Sequence, residues 1–147
     1  MILVLSALIH QLETLHQLLT TEMGVECDAV GFFIGKSSAK ERTRCRDCSI
    51  TLSTYHMARE GLDQPRLDCL VMATPSSADG CVQAIGRVQR KKREDRQGAP
   101  PLIVDVIDMP SHILESMARK RRSYYRSNGF MIQRVRASTS RVVESAP

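Results

Sequence analysis

The sequence predicts an α/β fold on an open, mainly parallel sheet of about six strands flanked by helices. Three observations carry this. Short apolar runs alternate with stretches of helical spacing along the chain. The runs are rich in Val, Ile and Leu and mostly continuous, as strands buried on both faces of a parallel sheet are. The chain has 147 residues, 42% hydrophobic and 25% charged, which fits one core-forming domain and excludes collagen, coiled coil and wholesale disorder. Strand-helix repetition implies right-handed crossovers, with ligands beyond the carboxyl ends of the strands.

The elements follow in order. MILVLSALI lacks the basic n-region and small-residue cleavage site of a signal peptide, so Ile2–Leu5 reads as a buried strand at which the chain opens inside its fold. Leu8, Leu12, Leu15 and Leu19 then recur at helical spacing over 8–22, with Gly24 where a C-cap is wanted. Ala29–Ile34 is the second strand. Ser38 and Glu41 have capping-box spacing and start a helix over 38–46. Ser49–Leu52 is a strand, 54–60 a helix, Cys69–Ala73 a strand and 77–92 a helix. Gln97–Pro101 is a surface linker before the strand Leu102–Ile107. A helix over 112–127 ends at Gly129, and Phe130–Val135 is the sixth strand. Residues 1–136 form one domain, and 137–147, without apolar period, a disordered tail.

No apolar run approaches the roughly 18 residues of a membrane span. Five cysteines without framework spacing point to a reduced, intracellular protein. Charge is uneven: residues 1–85 carry 7 Lys+Arg against 10 Asp+Glu, and residues 86–147 carry 14 against 6. The clusters Arg90–Arg93 and Arg119–Arg122 read either as a phosphate-binding face or as solvated helix ends.

Two constellations can carry chemistry. In QAIGRVQR, Gln83, Arg87 and Arg90 fall at i, i+4 and i+7, so they share a helix face, and Gly86 permits a close backbone approach. Guanidinium forks on one stripe near strand ends suit a triphosphate, and such fingers stabilise charge on a transferring phosphoryl group. The bland alternative is an amphipathic helix with a basic outer face. In REGLDQP, Gly61 beside Asp63 lets backbone N–H groups meet phosphate while the carboxylate takes a ribose hydroxyl; otherwise it is a plain turn.

Together and in this order, STYHMAREGLDQP and QAIGRVQR, separated by DCLVMATP, resemble motifs V and VI of the second RecA-like lobe of superfamily 2 helicases. ILVLSALIHQLETL is similar to the motif IV strand-helix. PPLIVDVIDMPSHILESMARKRRSYYRSNGFMI looks like the closing segment of a DEAD-like subgroup common in large DNA viruses and phages. The resemblance spans about residues 2–135. It implies that Arg87 and Arg90 are arginine fingers and that Gln83 senses the γ-phosphate. Gly61, Asp63 and Gly86 line the nucleotide, with Asp63 near the ribose. It places Thr54 near the nucleic-acid backbone; Thr54 lies seven residues before Gly61 where many relatives have six, so Ser53 or Tyr55 could take that place.

The chain has neither a Walker A loop nor an acidic Mg²⁺-binding motif. Gly35-Lys36-Ser37 mimics the first, but the position needing its leading glycine is Val30. Lys36 could touch nucleic acid; solvent exposure is the favoured reading. ATP and Mg²⁺ are therefore expected to bind mainly on a first lobe in cis or in trans, and this chain alone to hydrolyse essentially no ATP. DNA or RNA is the expected partner, with no membrane. The expected place is intracellular, with cytoplasm, nucleus, virion and virus factory all open. The alternative function is a stand-alone, non-catalytic nucleic-acid-binding or helicase-docking module.

Three lesser features complete the reading. Cys45-Arg46-Asp47-Cys48 has CxxC spacing, but no second pair completes a zinc site. Of Tyr124 and Tyr125, adjacent on a helix and about 100° apart, one is expected in the core. Asp105 and Asp108, at the end of a strand, could orient an arginine finger or cap the next helix.

Overall fold

The computed structural model describes residues 1–62, 64–89, 100–107, 111–135, 137–138 and 141–142. Strands β1 (Ile2–Ser6), β2 (Val30–Phe33), β3 (Ile50–Thr54), β4 (Cys69–Met72) and β5 (Leu102–Asp105) form one sheet in the order β2-β3-β1-β4-β5. Every pairing is parallel, as expected, and Val4 stands between Leu52 and Val71, with Val104 beyond. Helices α1 (Ile9–Gln17), α2 (Ala39–Arg44), α3 (Tyr55–Gly61), α4 (Ala78–Gln89) and α5 (His112–Ser127) connect or follow them. Ala137–Ser138 (β6) and Arg141–Val142 (β7) make a separate antiparallel pair.

Local chemistry explains the helix ends. α1 runs on into one π-helical segment, Leu18–Glu22. Gly24 closes it at φ +66°, and the N–H of Val25 returns to the carbonyl of Leu19 at 2.9 Å. The Ser38–Glu41 capping box forms: each side chain bonds the other's backbone N–H. α5 ends in a Schellman arrangement. Gly129 takes φ +72°, its N–H reaches the Arg126 carbonyl, and the Phe130 N–H reaches that of Tyr125 at 3.0 Å.

That cap also explains why the sixth strand is absent. Phe130 is used as the apolar partner of Tyr125, with ring centroids 5.9 Å apart. Residues 131–135 then form no strand, and Met131 is 97% exposed. The sheet accordingly has five strands and ends at β5.

Handedness decides which face each helix covers. β1 to β2 moves one way across the sheet, and every later crossover moves the other way. Right-handed connections therefore put α1 on one face and α2, α3 and α4 on the opposite one. α1 packs Leu12, Ile9 and Leu15 over Val4, Val30 and Leu52. The other face packs Leu3, Leu5, Leu70 and Met72 against Ala58, Ala84, Ile85, Val88 and Tyr125. β5 lies beyond the reach of α1, so Leu102 and Val104 are 59% and 39% exposed on that face. The expectation that this run is buried on both sides fails because it is an edge strand with a helix layer on only one side.

Candidate functional site

The carboxyl edge of the sheet is where the two motifs meet. β1 lies at the reversal of strand order, the switch point at which open α/β sheets receive ligands. Polar contacts knit the loops there. Ser6 Oγ donates to Gln11 Oε1 at 2.6 Å and accepts from the Leu8 N–H at 2.9 Å. The Ala7 N–H donates to Thr74 Oγ1 at 2.8 Å. The Tyr55 hydroxyl donates to the Thr74 carbonyl at 2.6 Å, and burial pushes its pKa up to about 12.

α3 and α4 lie side by side beneath this rim. Tyr55, Arg59, Gly80, Gln83 and Arg87 line the shallow crevice between them. Gln83 is exposed and Arg87 half-buried on the same side of α4, as the i, i+4 spacing predicts. Arg87 Nη1 donates to the Leu62 carbonyl at 2.6 Å, and its Nη2 donates to the Arg59 carbonyl. The guanidinium thus sits on the carboxyl end of α3, whose carbonyls carry the negative end of the helix dipole. Gly61 is the last residue of α3, so the structure brings it and Arg87 together. Asp63 and Arg90 lie outside the described residues.

The remaining expectations are placed as follows. No neighbouring atom among the described residues stands within 4 Å of a Cβ built on Gly86, so this lobe does not use the close approach that Gly86 permits. Thr54 caps α3, its side chain accepting from the Met57 N–H at 3.4 Å, and is half-exposed. Ser53 is fully buried and donates to the Phe33 carbonyl at 2.7 Å, so it has no surface with which to touch a nucleic acid. The pleat turns adjacent residues to opposite faces. Lys36 is exposed in the loop after β2.

Asp105 does neither task foreseen for it. Its carboxylate takes both Nε and Nη2 of Arg121 at 2.8 Å and accepts from the Tyr125 hydroxyl at 2.9 Å. Arg121 Nη1 donates to the Ser76 carbonyl at 2.8 Å, just before α4. Burial pulls the Arg121 pKa down, and the Asp105 carboxylate more than offsets it. Burial and the Cys81 thiol 3.3 Å away raise Tyr125 far above the ordinary phenol range. The second basic cluster is therefore not a uniform phosphate face, because Arg121 is structural; the first lies outside the described residues. Tyr125 is the tyrosine in the core. Sequence reasoning missed the Arg121–Asp105 pair. The available signal was Arg121 on the buried stripe Ala118, Arg121, Tyr125, where an apolar residue is expected. Asp108 lies outside the described residues.

Cys45 and Cys48 are buried, and their thiols donate to the carbonyls of Phe32 at 3.0 Å and Asp28 at 3.4 Å. Both sulfurs fill the space where Gly31 lacks a Cβ. Burial pushes the Cys45 pKa up to about 11. No cluster of three or more His, Cys, Asp or Glu that could hold a metal occurs among the described residues. No helix among them is long and apolar enough to cross a membrane.

A five-stranded parallel sheet with this edge is the RecA-like fold of helicase C-terminal domains. In sequence and fold the chain is similar to the second, C-terminal lobe of DEAD-like superfamily 2 helicases. No protein-family model matches it. A candidate ATP-dependent RNA helicase of Acanthamoeba polyphaga mimivirus is 27% identical over 139 residues, covering 95% of this chain and 26% of the relative. The chain thus spans about a quarter of the curated relative it matches. Among solved structures, the C-terminal part of the Fun30 ATPase domain superposes with a TM-score of 0.65 at 16% identity, over 82% of this chain and 38% of that one. The C-terminal domain of the DEAD-box protein Dbp5 superposes with a TM-score of 0.61 at 19% identity, over 84% and 69%.

Proposed function

We propose that this chain is the second lobe of an ATP-dependent nucleic-acid helicase or translocase. The observation that carries the reading is the apposition of α3 and α4, which brings the Gly61 turn and the Gln83–Arg87 face to one crevice at the sheet's carboxyl edge. Phosphoryl transfer needs a phosphate cradle, Mg²⁺, a positioned water and groups that stabilise charge on the transferred phosphoryl. This lobe supplies the last: Arg87 and Arg90 as fingers and Gln83 as γ-phosphate sensor. Gly61, Asp63 and Gly86 line the nucleotide. A first lobe, in cis or in trans, binds most of ATP and Mg²⁺. Thr54, at the half-exposed start of α3, faces the nucleic-acid backbone, with Lys36 a peripheral contact. Closure of the two lobes on ATP and reopening after hydrolysis give alternating grip on the strand.

The test joins this chain to a first lobe carrying a Walker A loop, as a fusion or a mixture, and measures nucleic-acid-stimulated ATPase. Arg87→Ala and Arg90→Ala each lower turnover by about a thousandfold or more, while nucleic-acid binding survives. Intact hydrolysis in both variants overturns the finger assignment. Strongly salt-dependent nucleic-acid binding without ATPase in any mixture points to the non-catalytic module.

A further inference from the structure

Arg87 is already engaged before any nucleotide arrives. Its two Nη atoms hold the carbonyls of Arg59 and Leu62 on either side of Gly61, where α3 ends. The last carbonyls of a helix have no intrahelical partner, and a cation there is doubly favourable, by hydrogen bonding and by the helix dipole. The turn so held carries a cost. Gln64 is nine-tenths buried, yet its Nε2 has no hydrogen-bond partner among the described residues. A buried donor left unmade opposes the conformation that contains it.

We propose that Arg87 is a positioning residue as well as a phosphate ligand: stowed, it caps α3 and holds the 61–64 turn, and drawn onto an anion it lets that turn go. The second half of this statement rests on the finger reading above; the first half does not. Arg87 is half-exposed, so it can exchange two neutral carbonyls for a phosphate, which binds a guanidinium more strongly and bidentately. Departure of the cap frees the turn, and Gln64 then reaches a partner. Occupancy of the nucleotide crevice is thereby coupled to the turn that follows α3, through one side chain rather than a long chain of contacts.

The experiment is amide hydrogen exchange on the 147-residue chain, as wild type, Arg87→Ala and Arg87→Lys. In Arg87→Ala, exchange over 59–64 speeds up about tenfold, the factor expected from losing one charge-assisted hydrogen bond, while β1, β3 and α5 are unchanged. Lysine, with a compact head that bridges two carbonyls poorly, gives an intermediate rate and serves where the alanine variant does not fold. Unchanged exchange over 59–64 in both variants overturns the positioning role, and so does a uniform rise across every element. Comparison with the ATPase test separates the two readings. Faster local exchange with ATPase intact keeps the cap and removes the finger. Lost ATPase with unchanged exchange keeps the finger and removes the cap.

Discussion

Two arginines tie α4 to its neighbours, and they are built differently. Arg121 reaches from α5 to the start of α4; its side chain is fully buried, and its partner Asp105 is only 10% exposed. Arg87 reaches from α4 to the end of α3, half-exposed, with its hydrogen bonds on two neutral carbonyls. The first cannot leave without stranding a buried carboxylate. The second can trade its carbonyls for water or an anion at modest cost. Within one stretch of the chain, burial and partner charge thus separate a fixed strut from a side chain free to change partners.

The largest expected effect tests the strut. Arg121→Met destabilises the chain by about 3–5 kcal/mol, because it leaves Asp105 buried and unpaired. Urea unfolding measures it, and a loss below about 1 kcal/mol would put Arg121 in the same class as Arg87. Next, Arg87→Ala costs about 1–2 kcal/mol in the same assay, clearly less than Arg121→Met. Equal losses would erase the distinction.

Alkaline pH sharpens it further. Burial, the Cys81 thiol and Asp105 hold Tyr125 protonated in the folded chain at a pH where an unfolded tyrosine ionises. The raised pKa means this stabilisation is complete below about pH 10 and declines as pH rises beyond it, at about 1.4 kcal/mol per pH unit. Tyr125→Phe therefore shows a shallower stability loss than wild type between pH 10 and 11; parallel losses would remove the phenol from the network. Cys45 and Tyr55, also raised by burial, keep their share of the decline in both proteins. The smallest effect concerns the other end of α3. Thr54→Ala removes its N-cap and costs about 0.5–1 kcal/mol, below the Arg87 value. A larger loss than that of Arg87→Ala would make Thr54, not Arg87, the main clamp on α3.

Most of the fold was legible because its signals are local. The Ser38–Glu41 box, Gly24 and Gly129 at helix ends and the continuous apolar runs depend on neighbours within a few residues, and each appears where expected. The errors fall where an apolar run has more than one use. Phe130 goes to a helix cap instead of a strand, and the Leu102 run is an edge with one bare face. The site was legible as a face, since Gln83 and Arg87 share one by helical spacing. Its internal contacts were not: nothing local tells Ser53 from Thr54 except the phase of the pleat.

The amino-acid order alone determined the alternation of strands and helices, their caps, and the stripe that carries Gln83 and Arg87. These follow from backbone periodicity and short-range hydrogen bonding. Only the tertiary structure decided that Arg87 rests on Leu62, 25 residues away, and that Arg121 spans 45 residues to Ser76 and 16 to Asp105. Such pairs are made when the sheet order and the handedness of its crossovers bring distant elements together. A guanidinium on a helix face is the same in sequence whether it meets solvent, a carbonyl or a buried carboxylate.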